Sequence, residues 1–183
     1  MRFTPDESGV NRLECNADAP DDVIVYLERN GIPQTITLDK LLPYWDYAVA
    51  EEIEFVDAGV FGDYIGGIVT VAGGQGGIVF LWDMDEEEIV HVSDGSYTIA
   101  MDVDENSIYS LCLIENFSTP AHFAAFRSPL GIFDAFSNPE RLDLIVPIPL
   151  DISLDALHSS EVCVSDGGIA IFMDGKLYYQ QML

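Results

Sequence analysis

Val23-Ile-Val-Tyr-Leu-Glu-Arg-Asn-Gly-Ile-Pro-Gln-Thr-Ile-Thr-Leu38 decides the fold class of this chain. Two apolar, β-branched runs flank the dipeptide Asn30-Gly31. A two-residue hairpin turn needs positive φ at both central positions, which Gly adopts freely and Asn tolerates. Residues 21–38 are therefore expected to form a β-hairpin. Pro33 cannot donate to a ladder, so its strand belongs at a sheet edge.

Outward from this hairpin the signals are weaker. Residues 1–20, with Pro5, Gly9 and Pro20, read as an irregular lead-in or a short edge strand. In 39–52, Leu41, Leu42, Trp45, Ala48 and Val49 recur at helical spacing, with Pro43 confined to the first turn; a helix is expected, with Trp45 a core anchor. From 60 to 113 short apolar runs at 68–71, 78–82, 89–92 and 108–113 alternate with Gly- and Asp-rich turns, the pattern of a hairpin meander.

An internal echo supports repetition. Val92-Ser-Asp-Gly-Ser-Tyr-Thr-Ile-Ala-Met-Asp102 resembles Val164-Ser-Asp-Gly-Gly-Ile-Ala-Ile-Phe-Met-Asp174, and residues 71–83 are a looser third copy. Strand-turn-strand units of this kind resemble β-propeller blades, but their spacing is irregular and 114–160 interrupts them. Residues 117–160 read as a helical or loop insertion, with one or two short helices near 119–137 around Phe123-Ala-Ala-Phe126 and Gly131-Ile-Phe-Asp-Ala-Phe136. Residues 161–183 close the chain as a last hairpin. The expectation is a single α+β domain over 1–183, mostly antiparallel β. Its centre is one twisted meander sheet of repeated hairpins, joined by a helix near 39–52.

Charge narrows the function classes. The chain has 32 acidic and 7 basic residues, for a net charge of −25, yet 49% of it is apolar, ample for a core. Lys40 and Lys176 are the only lysines, so most carboxylates lack a basic partner within the chain. Nucleic acid and anionic membranes would be repelled; a basic protein or a cation would be attracted. No apolar run approaches the roughly 18 residues that span a bilayer, and no signal-peptide core follows Met1. Cys15, Cys112 and Cys163 are odd in number and widely spaced, as reduced thiols are. Together these point to the cytoplasm.

Catalytic and cofactor signatures fail on inspection. The glycines at 73–77 are followed by a strand and by no Gly-Lys-Ser/Thr, so they mark a turn rather than a phosphate loop. Asp102, Asp104 and Asn106 have calcium-loop spacing, but Ser107 stands where that loop needs Gly and Leu113 where it needs Glu. A hairpin turn is expected there, with weak calcium capture the alternative. His91, His122 and His158 lie outside metal-ligand spacing of one another and of the cysteines. No catalytic residue, metal or cofactor is assigned.

Placing 78–92 and 96–113 as consecutive hairpins brings turns 83–88 and 102–106 to one end of a sheet. Asp83, Asp85, Glu86, Glu87, Glu88, Asp102, Asp104 and Glu105 then form an acidic rim, free of basic residues, that a basic partner could engage. The reading is a non-enzymatic, soluble protein that captures and inhibits a basic partner such as a nuclease. Bacterial toxin-immunity proteins and phage-encoded inhibitors of host-defence nucleases have the same surface character. The alternatives are a small-molecule, glycan or calcium-binding module with a Gly-lined pocket near 62–77, Tyr64 and Trp82, and an assembly subunit whose exposed strands pair with copies of itself.

Overall fold

In the computed structural model, residues 8–15, 23–44, 53–71, 76–95, 97–116, 119–130, 140–147, 160–165 and 168–181 are described. They fall into two compact units, one within 2–96 and the other within 97–130 and 138–183. Both units are antiparallel β. Every sheet is built from consecutive strands in chain order.

The N-terminal unit opens with β1 (Val10–Cys15), β2 (Val23–Arg29) and β3 (Ile32–Thr37). Arg29 pairs with Ile32 across the turn, where Asn30 has φ 52° and Gly31 φ 79°. Both turn residues thus occupy the region that Asn-Gly was expected to supply. A four-stranded sheet follows, of β4 (Ile53–Phe61), β5 (Tyr64–Val71), β6 (Gly76–Asp83) and β7 (Glu88–Asp94). Ile24, Leu27 and Ile36 from the first sheet share one core with Ile65, Val69, Ile78, Phe80 and Trp82 from the second. Each of these side chains stabilises by about 1.5–3 kcal/mol on full burial. The other face of the second sheet, with Ile68, Val79, Leu81 and His91, is buried as well. Burial on both faces is why β5 and β6 read as unbroken apolar runs rather than alternating ones.

Of the expected helix at 39–52, the described residues show one helical turn, α1 (Leu38–Leu41), followed by a 3₁₀ turn over Leu42–Tyr44. Pro43 has no amide to donate, so the ladder cannot continue through it. Trp45 and the rest of 45–52 lie outside the described residues.

The C-terminal unit holds β8 (Thr98–Val103), β9 (Ser107–Asn116), β10 (Thr119–Pro129) and β11 (Glu140–Pro147) in one sheet. A second sheet consists of β12 (Glu161–Ser165), β13 (Gly168–Met173) and β14 (Lys176–Gln181). Tyr109, Leu111, Phe123 and Val146 share a core with Val162, Ile169, Ile171 and Met173, so the two sheets form a sandwich. In place of the one or two short helices expected near 119–137, residues 119–129 form a strand: Phe123, Ala124 and Ala125 are all buried, and β10 is paired on both sides. A doubly buried strand loses the period-two alternation that would have identified it. Gly131-Ile-Phe-Asp-Ala-Phe136 and residues 148–159 lie outside the described residues.

The single meander expected over 60–113 is divided. Strands β6 and β7 pair in one unit, β8 and β9 in the other, and β7 does not ladder with β8. Gly95 marks the break. Its amide donates to the Gly77 carbonyl at 3.0 Å. A side chain there would drive into the backbone of Ile78 and Val79. Among the described residues no helix is long and apolar enough to cross a membrane.

Candidate functional site

The residues of the expected acidic rim lie on two turns, one in each unit. In the N-terminal unit, residues 84–87 connect β6 to β7. Asp83 Oδ1 accepts the amides of Asp85 at 2.8 Å and Glu86 at 3.0 Å, folding the chain back on itself. Glu87 adopts φ 55°, and Met84 is buried beneath the turn as its anchor. The same end of the sheet carries the β4–β5 turn, whose Asp63 carbonyl accepts the Met84 amide at 3.1 Å.

The rim does have a base of its own. Arg29, at the tip of the β2–β3 hairpin, donates from Nη1 to Asp85 Oδ1 at 2.5 Å and from Nη2 to Asp63 Oδ1 at 3.1 Å. Its Nε donates to the Ser8 carbonyl at 2.9 Å. Gln34 of β3 donates from Nε2 to the Met84 carbonyl at 2.9 Å and reaches Glu87 Oε1 at 3.3 Å. Asp83, Asp85 and Glu87 are therefore engaged in holding the turn. Glu86 and Glu88 point outward and have no partner among the described residues.

The β8–β9 turn in the C-terminal unit uses the same device. Asp104 Oδ1 accepts the amides of Asn106 and Ser107, both at 2.8 Å, and Oδ2 accepts the Tyr109 hydroxyl at 2.8 Å. Desolvation, and then this carboxylate, push the Tyr109 phenol above its usual value, opposed by Arg127. Asp102 Oδ1 accepts the Val103 amide at 2.9 Å and Oδ2 the Val164 amide of β12 at 2.6 Å. Carboxylates with the spacing of a calcium loop thus act as turn and inter-sheet acceptors. Only Glu105 of the three expected rim residues here is exposed and without a partner among the described residues. Among those residues no cluster of three or more His, Cys, Asp or Glu is arranged to hold a metal.

Several of the remaining candidate residues are engaged in packing or hydrogen bonds. Trp82 is buried, and the Lys40 ammonium stands 4.0 Å from its ring centroid. The Phe80 ring fills the room above Gly67, where a side chain would collide with it. Gly67 therefore admits an aromatic side chain of the same sheet. His91 Nε2 lies 3.2 Å from Ser93 Oγ, both buried. Cys112 Sγ lies 3.1 Å from Thr98 Oγ1. Cys15 is exposed as a residue, but desolvation, and then Asp57, push its thiol up to about 12.

Bases elsewhere are also committed. Arg12 pairs with Glu14 at 2.7 Å, Arg127 with Glu140 across β10 and β11, and Arg141 with His122 at 2.9 Å. Among the described residues, Lys176 is the base without such a partner. Sequence reasoning missed Arg29 and Gln34, which reach the turn from 50 or more residues away. No protein family, curated protein or solved structure matches this chain.

Proposed function

We propose that this chain is a non-enzymatic binding protein that captures a basic partner through the β6–β7 turn. One observation carries the reading: Glu86 and Glu88 stand outward and unpaired on a turn that Asp83, Arg29 and Gln34 hold in one shape. A pre-organised tip loses little side-chain and loop entropy on docking. The net charge of −25 supplies long-range attraction, and the turn supplies a defined place for contact. A nucleic-acid-binding enzyme offers the complementary chemistry, because its groove already accommodates phosphates. Carboxylates seated there would exclude the natural polyanion. Glu105 on the β8–β9 turn extends the same surface character in the other unit.

The test immobilises the chain, exposes it to lysate and washes at low and high salt. Basic proteins should be retained at low salt and released at high salt. The variant Glu86→Lys/Glu87→Lys/Glu88→Lys should retain its fold and lose the capture. Retention indifferent to salt, or unchanged in the variant, contradicts the reading.

A further inference from the structure

A different surface carries a second role. Phe172, Leu177 and Tyr179 are 46%, 70% and 61% exposed, three of the four large hydrophobics left open among the described residues. Phe172 and Leu177 are cross-strand partners, and all three stand on the outer face of the β12–β13–β14 sheet. A contiguous apolar patch at a sheet edge, unlike scattered exposed residues, calls for a partner.

The β14 edge carries one charged guard, Lys176, and neither a carboxylate nor a proline. Among the described residues the strands at sheet edges are β1, β3, β4, β7, β8, β11, β12 and β14. All but one contain a carboxylate or a proline. The exception is β14, Lys176-Leu-Tyr-Tyr-Gln-Gln181. Strand β12, the opposite edge, lies beside β8 and gives its Val164 amide to Asp102. Strand β14 ladders with β13 alone.

We propose that β14 pairs antiparallel with β14 of a second copy, about a two-fold axis through Tyr178. Self-complementarity of the strand selects this occupant, and charge limits where it can dock. Two chains of net charge −25 repel, so they can join only where neither presents carboxylates, and β14 is such an edge. Register follows from side-chain alternation. Centring on Tyr178 sets Leu177 of each copy opposite Tyr179 of the other, both on the outer face, and merges the two apolar patches. A one-residue slip would set Leu177 against Gln180. The same centring places Lys176 of one copy opposite Gln180 of the other. Gln180 Oε1 is buried with no hydrogen-bond partner among the described residues, and an ammonium is a donor without an acceptor need. The β14 ladder uses no residue of the β6–β7 turn, so its failure is distinguishable from failure of the proposed function.

Sedimentation velocity of the full chain over a concentration series at physiological salt tests the pairing. Wild type should show a reversible monomer–dimer equilibrium. Leu177→Glu/Tyr179→Glu opposes carboxylates on both sides of the axis and should weaken the dimer about tenfold or more. Leu177→Lys/Tyr179→Glu opposes unlike charges and should restore it, with circular dichroism confirming that both variants fold. A wild-type chain that stays monomeric up to about 1 mM overturns the proposal. So does a dimer indifferent to the first variant, and so does a loss that the second variant fails to rescue.

Discussion

Replacing Arg29 with Ala removes the side chain that ties the β2–β3 hairpin to two turns of the neighbouring sheet. Its side chain is 16% exposed, whereas those of Asp63 and Asp85 are 68% and 66% exposed. Solvent screening at the carboxylates limits each ion pair to about 0.5 kcal/mol. The charged hydrogen bond to the shielded Ser8 carbonyl contributes about 1.5 kcal/mol. The sum is a loss of about 2–3 kcal/mol, measurable by urea denaturation of wild type and Arg29→Ala. Arg29→Lys should fall between them, because an ammonium lacks the fork that serves Asp63, Asp85 and Ser8 together. Removing this base also leaves the turn more negative. It also loosens the shape that Arg29 holds, so capture of a basic partner should weaken along with the fold. A loss under about 0.5 kcal/mol, or an Arg29→Lys variant equal to wild type, would refute the tie.

Other substitutions probe the packing and the second turn. Gly67→Ala sets a methyl against the Phe80 ring in the core and should cost about 1–3 kcal/mol, read from thermal unfolding. Asp104→Ala removes the acceptor for two amides and the Tyr109 hydroxyl and should cost about 2–3 kcal/mol, with Asp104→Asn recovering part of it. The thiol of Cys15 has its folded value raised to about 12 from 9.0. Its contribution to stability is therefore complete below pH 9 and is lost as the pH rises toward 12. At pH 8, Cys15 in the native chain should alkylate about a hundredfold or more slowly than in the denatured chain, followed by peptide mass spectrometry. Equal rates would show that the sulfur is fully solvated.

Local chemistry was legible in the sequence where backbone geometry alone decided it. Asn30-Gly31 determined a turn and the register of β2 against β3, and the Asp-led turns at 83 and 104 cap their own amides. The hairpins β6–β7 and β8–β9 follow from the same signals. Legibility failed where tertiary burial replaces periodicity. Phe123-Ala-Ala-Phe126 has helical composition, yet it is a central strand because both its faces are covered. The repeats at 92 and 164 gave no sign that Gly95 takes the chain out of one sheet and into another unit. For the acidic turn, the exposed carboxylates could be read from residues 83–88, but the basic side chain that anchors them comes from a separate hairpin. Long-range pairing of this kind has no local signature.

Binding by the turn, rather than by bulk charge, is the point on which the proposed function stands. Two triple variants of equal net charge separate the two. One carries Lys at Glu86, Glu87 and Glu88; the other carries Lys at Asp39, Glu161 and Asp174, exposed acids outside both turns. Association rates of each with a captured basic partner, measured across ionic strength, decide the matter. Loss of binding in the turn variant alone, with the control retaining a near-wild-type rate, is the predicted result. Equal weakening of the two variants would show that the turn is only one part of a uniformly acidic surface.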